Sequence, residues 1–151
     1  PGYQGITAGE IPRVALPDGA GEARIIAGRV DDTSGPARTF TPMNVWHMRL
    51  RAHHQVTLEL PEGHTTALFV LKGTIRLGNR HAVRAAELAV MDRRGSKLVM
   101  DVEEETTLLL LNGAPLDEPI VGHGPFVMNT QEEIVQAIND YNSGRFGQIG
   151  R

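Results

Sequence analysis

Glu62, His64 and Thr66 stand at alternate positions of the stretch LPEGHTTALFVLKG, so an extended strand would place a carboxylate, an imidazole and a hydroxyl on one face. A divalent cation would find two good ligands there, Glu62 and His64, which is too few for tight binding. The residues read instead as a hydrogen-bonded group near the opening of a barrel, with Met91 and Met100 adding apolar contacts for a small apolar ligand. The other five of the six histidines are less suggestive. His53 and His54 are adjacent and mark a bend, His47 has outward parity, His81 follows a Gly-Asn-Arg turn and His123 lies between two glycines. Ser34, Ser96 and Ser143 sit in loop-forming sequence with no patterned base, and no G-x-S-x-G elbow exists. The glycines of GAGEARIIAG lack the strand-before, helix-after setting of a phosphate loop. With no cysteine in 151 residues, a disulfide frame, a thiolate nucleophile and a zinc–thiolate centre are all excluded. The residues argue against catalysis in this chain.

The elements that must position these groups are short strands. From Val56 to Asn112, β-branched and aliphatic runs alternate with turn chemistry at Pro61-Glu62-Gly63, Lys72-Gly73, Gly78-Asn79, Arg94-Gly95 and Asn112-Gly113, the pattern of an antiparallel barrel or sandwich. Val56, Leu58 and Leu60 alternate with Thr57 and Glu59, giving one buried and one wet face. Phe69 to Leu71 and Leu108 to Leu111 are apolar on both parities, as in strands covered on both sides. In TFTPMNVWHMRL, Phe40, Trp46, Met48 and Leu50 share a parity; Trp46 and Met48 point inward and His47 outward. Asp31 to Ala37 reads as a loop, and DVEEE, Asp101 to Glu105, as a solvated acidic turn. The period then changes: Thr130 and Glu133 form a capping box, Ile134, Ala137, Ile138 and Tyr141 follow at helical spacing, and Gly144 sits where the helix stops.

Length and composition agree with one domain. The net charge of −3 comes from 15 basic and 18 acidic residues spread along the chain, with no basic stripe, which removes support for direct nucleic-acid binding. No apolar run approaches the roughly 20 residues of a membrane span and no signal pattern opens the chain; no membrane partner and a soluble, cytoplasmic protein are expected. The first residue is Pro1 rather than Met, and the first 20 residues are rich in Pro and Gly. They are expected to be a tether, preceding a barrel over 21–128 and a helix over 129–147.

The strand and turn order of LFVLKGTIRLGNR with AAELAVMD resembles the cupin barrel, so the fold class is expected to be all-β, a double-stranded β-helix or jelly-roll barrel with one C-terminal α-helix. Cupins hold a divalent metal with two histidines one residue apart, a glutamate and a further histidine. Counting back from Val70-Leu71-Lys72-Gly73, the glutamate slot falls on Thr66 and the paired histidine slots on Leu60 and Glu62, or on Glu59 and Pro61 with the alternative spacing. Alternation prefers the first register. The last histidine slot falls near Lys97. Three neutral imidazoles and a carboxylate leave open positions on a metal; Leu, Glu, Thr and Lys do not supply them.

The resemblance narrows further. YQGITAGEIPRVALPDG, RIIAGRV, GPARTFTPMNVWHMRL, LPEGHTTALFVLKG, AELAVMD and above all LDEPIVGHGPFVMNTQEEIVQAINDYNSGRFG together look like the C-terminal half of the pirin family. The resemblance implies a chain of two tandem barrels in which the first carries the iron and, in several members, quercetin 2,3-dioxygenase activity; an animal member is a nuclear transcriptional co-regulator. It implies no cofactor in this half and iron in the half that is absent. The partner would be the N-terminal pirin barrel or a second copy of this chain, and a dimer is expected. A start at the interdomain linker without Met leads us to expect a fragment. The alternative readings are a stand-alone small-molecule-binding cupin and a weak metalloenzyme built on Glu62 and His64.

Overall fold

Alternating burial along successive short segments builds the structure, a computed structural model that describes residues 3–78 and 81–147. In chain order the strands of the first part are β1 (Arg13–Ala15), β2 (Gly21–Ala27), β3 (Arg29–Val30), β4 (Thr33–Ser34), β5 (Met43–Leu50), β6 (His54–Glu59) and β7 (Thr65–Lys72). They continue with β8 (Thr74–Leu77), β9 (His81–Arg84), β10 (Leu88–Val90), β11 (Lys97–Val102) and β12 (Thr106–Gly113). A six-stranded antiparallel sheet runs β1-β2-β5-β12-β7-β10 and a four-stranded sheet β6-β11-β8-β9. Trp46, Met48, Leu68, Leu108 and Leu110 of the first sheet join Val56, Leu58, Ile75, Met100 and Val102 of the second in one buried cluster. Two sheets with interdigitating inner faces are what the period-two pattern requires, and the cupin jelly roll expected from the sequence is the fold found. No helix among the described residues is long and apolar enough to cross a membrane.

Cross-strand register sorts the inner face of the large sheet into rows. Asn44, Asn112 and Thr66 are mutually opposite on β5, β12 and β7; the next row is Ile25, Trp46, Leu110 and Leu68, and the one after it Ala23, Met48, Leu108 and Val70. One end of the sheet is therefore polar inside, and the rows beyond it are apolar and buried.

Several expectations are refined. Phe40, placed on the inward parity, is fully exposed, because Pro42 precedes β5 and the strand begins only at Met43. Within the expected loop 31–37, Thr33–Ser34 pairs with Arg29–Val30 as a small hairpin. In the expected tether, β1 pairs with β2, and Leu16 and Ala20 belong to the core. The Gly78-Asn79 turn involves Asn79, which lies outside the described residues, as do Pro1 and Gly2 of the tether.

The chain divides into two units, Pro1–Pro115 and Leu116–Arg151. In the second, the hairpin β13 (Val121–His123) and β14 (Phe126–Met128) accompanies the helix α1 (Gln131–Asn142). The capping box is formed as the sequence predicts: Glu133 N donates to Thr130 Oγ1 at 3.2 Å, and Thr130 N donates to Glu133 Oε2 at 3.0 Å. Ile134 and Ala137 are buried. Phe126, Tyr141 and Phe146 cluster with ring centroids 6.0–6.4 Å apart, Tyr141 edge-on to both phenylalanines, so Tyr141 joins the helix to its own hairpin.

Candidate functional site

The polar row at the end of the large sheet is the core of the site. Arg29 N donates to Asn44 Oδ1 at 3.1 Å. Asn44 Nδ2 donates to Asn112 Oδ1 at 3.0 Å, and Asn112 Nδ2 donates to Thr66 Oγ1 at 2.9 Å. His64 Nδ1 also meets Asn112 Oδ1, at 3.1 Å. These contacts are directional. A backbone amide can only donate, so it fixes which Asn44 atom is oxygen; Asn44 Nδ2 then fixes the Asn112 amide, and an oxygen acceptor there obliges His64 Nδ1 to carry the proton. In the neutral ring Nε2 is left as a bare acceptor. The tautomer of His64 is thus set by the backbone of Arg29, through two asparagines.

Of the sequence-predicted residues, His64, Thr66 and Met91 come together around a recess of about 180 Å³ whose walls also include Leu60 and Leu98. Thr66 is buried, and its carbonyl accepts the amide of Met91 at 2.9 Å. Glu62 does not join them: it is exposed on the 61–63 turn, where its Oε1 accepts the amide of Gly95 at 3.1 Å. Its carboxylate binds the turn to the loop after β10, alongside Gly63 N to Arg93 O at 2.9 Å and Leu60 N to Ser96 O at 2.7 Å. Met100 is fully buried in the core, away from the role of a mouth contact. Asn44 was not singled out from the sequence, and Asn112, read there with Gly113 as a turn, lies instead within β12, which continues through Gly113. Their signal was legible, since each is a polar residue on the inward parity of an otherwise apolar strand, NVWHMRL and TTLLLLN.

The four slots that hold a metal in a cupin do not fit one here. Leu60 is buried and has no donor atom, Glu62 points to the Gly95 amide, Thr66 accepts from Asn112, and Lys97 is exposed with its ammonium 3.6 Å from Glu59. Among the described residues no group of three or more His, Cys, Asp or Glu converges.

On the outer face of the large sheet His47 is half-buried, with its pKa held below the ordinary value. Desolvation is the main cause, the positive charges of Arg49 and Arg24 add to it, and Glu22 opposes it. The unfolded chain therefore binds this proton more readily than the fold does. The stability contribution is fully present above about pH 6.5 and is lost as pH falls from there through the lower folded value. Urea midpoints at pH 7.5 and 5.5 should fall further for the native chain than for His47→Gln; equal falls would exclude His47 as the source.

The comparisons with known proteins agree with this geometry. Residues 45–147 match the family model described as the pirin C-terminal cupin domain. A Pseudomonas aeruginosa protein provisionally named a quercetin 2,3-dioxygenase is 49% identical over 146 residues, covering 97% of this chain and 51% of that protein. Human pirin is 32% identical over 151 residues, covering 97% of this chain and 51% of pirin. The crystal structure of a quercetin 2,3-dioxygenase from Acinetobacter baumannii superposes with a TM-score of 0.90 at 44% identity, over 99% of this chain and 52% of that one. The chain spans about half the length of the relatives it matches. By the family model, and by a likeness that runs along almost its whole length, the chain belongs to the pirin family, as its C-terminal cupin domain.

Proposed function

We propose that this chain is the metal-free half of a pirin-type two-barrel protein, serving to brace an iron-bearing barrel and to present a docking surface to it or to a second copy. The observation that carries the reading is the donor set at the four slots: a buried Leu60, an outward Glu62, a Thr66 engaged with Asn112 and an exposed Lys97. A barrel so lined has no grip for iron, and the quercetin 2,3-dioxygenase activity named in relatives would belong to the other half. The outer face of the large sheet supports the docking role, since Leu71, Leu88, Val90 and Leu111 are exposed there, and contiguous exposed apolar surface marks interfaces.

A small-molecule-binding barrel is the weaker reading. Trp46, Met48 and Leu68 fill the interior, which leaves an apolar ligand only the recesses that His64 borders at the polar end, one of about 180 Å³ and one of about 440 Å³.

The test is elemental analysis and flavonol turnover on the purified chain after loading with iron, nickel, copper or zinc. Less than about a tenth of an equivalent of tightly held metal and no turnover above buffer are expected, given so few ligands. Stoichiometric metal with turnover would defeat the proposal, and loss of both in His64→Ala would shift the function to a Glu62/His64 centre.

A further inference from the structure

At the end of the large sheet opposite the polar row, Glu22, Arg49, Thr107 and Lys72 are mutually opposite on β2, β5, β12 and β7. They line a concavity of about 460 Å³ together with Arg51 and Glu105. Its charges are not balanced. Among the described residues Arg49, Arg51 and Lys72 make no ion pair, and Glu22, although opposite Arg49, turns to Arg13 at 3.1 Å. Three cations, Arg49, Arg51 and Lys72, and two carboxylates, Glu22 and Glu105, line the hollow; with Arg13, which holds Glu22 from outside it, the group carries two net positive charges in a chain whose net charge is −3.

We propose that this concavity binds a small soluble dianion of the phosphate class, with Arg49 and Arg51 as its principal ligands and Lys72 as a further positive charge. Guanidinium groups present paired donors that match phosphate oxygens, whereas an ammonium acts as a compact charge. Two excess positive charges match the charge of phosphate near neutral pH. A second observation comes from the adjoining row, where Arg24 lies opposite His47: Arg24 Nε and His47 Nδ1 are buried without a hydrogen-bond partner. The same field is felt by the His47 ring, on which Arg49 and Arg24 both act against protonation. Cations held together without counter-charge repel one another, so an anion that neutralises them is bound with gain on each contact. Nothing in this assignment depends on the metal-free reading of the barrel, and its failure would leave that reading untouched.

The experiment is a titration of the whole chain with inorganic phosphate at pH 7.5 and low ionic strength, followed by calorimetry and by amide NMR, with acetate at matched ionic strength as the monoanion control. Saturable binding near one phosphate per chain is expected, with the largest shifts at Arg49, Arg51, Lys72 and Thr107. The paired change Arg49→Gln with Arg51→Gln should weaken binding roughly tenfold or more, as the loss of charged hydrogen bonds implies. Arg84→Gln, which removes the same charge from an exposed site on β9, should not. The assignment is overturned if phosphate binds no more tightly than acetate, if the shifts fall elsewhere, or if the paired variant binds as the native chain does. The NMR map needs no substitution, so it decides the matter even where a variant misfolds. Attachment to phosphatidate vesicles that free phosphate does not displace would also overturn it, by moving the ligand to a membrane surface.

Discussion

Asn112→Ala is expected to cost about 2–4 kcal/mol of stability, a fall in melting temperature of roughly 6–12 °C for a chain of this size. Asn112 is nearly inaccessible, at 4% exposure, and serves three neighbours at once: it accepts from Asn44 and His64 and donates to Thr66. Removing it leaves a buried hydroxyl and an amide without partners, in an interior where desolvated polar groups are costly. Asn112→Leu restores apolar volume and none of the hydrogen bonds, so it should recover little of the loss. The readout specific to the network is the His64 tautomer. Nitrogen NMR of the native chain should show Nδ1 protonated and Nε2 bare in the neutral ring; in Asn112→Ala the preference should collapse towards the mixture of a free imidazole. A native ring protonated on Nε2 would refute the directional chain from Arg29, whatever the stability change.

Gly28→Ala should be as damaging, by about 3 kcal/mol or more. Gly28 has φ +76°, where a side chain costs about 1–2 kcal/mol, and a Cβ there would run into Asn44 Oδ1, the Met43 carbonyl and Asn44 Cα. The obstruction is largely backbone, so it cannot be relieved by a rotamer change. It falls on the atom of Asn44 that accepts the Arg29 amide, so the substitution displaces the start of the chain that ends on His64. Because Gly28→Ala and Asn112→Ala break the same network, their double variant should be less destabilised than the two single losses together. Chemical denaturation of the four proteins gives the coupling. Additivity within about 0.5 kcal/mol would mean that the row is not one cooperative unit.

Much of the fold was legible because burial in a two-sheet barrel imposes a period of two along each strand. Val56, Leu58 and Leu60, and Trp46, Met48 and Leu50, are buried at alternate positions as read. The capping box at Thr130 was equally legible, since both its partners lie within four residues. Phe40 shows the limit of the same signal: parity continues on paper past Pro42, while the strand does not.

The site was legible only in part. His64 and Thr66 were found through parity, but their partner Asn112 lies 46–48 positions away and Asn44 a further 68 from Asn112 in the opposite direction. Glu62 shared their parity and still left the site, because Pro61 and Gly63 turn the chain before β7 begins and the Gly95 amide captures its carboxylate. The cationic hollow escaped for a related reason. No basic stripe exists in the order of residues, and Lys72 joins Arg49 and Arg51 only when β12 is laid between β5 and β7.

By itself, the order of residues determined the alternation of buried and wet positions, the helix start at Thr130 and the lack of thiol chemistry. Those follow from local periodicity, local capping and side-chain chemistry. Only the tertiary structure decided which polar residues meet, which tautomer His64 holds and where unbalanced positive charge collects, because each of these depends on the register between strands far apart in the chain. Register is set by the packing of the whole core at once.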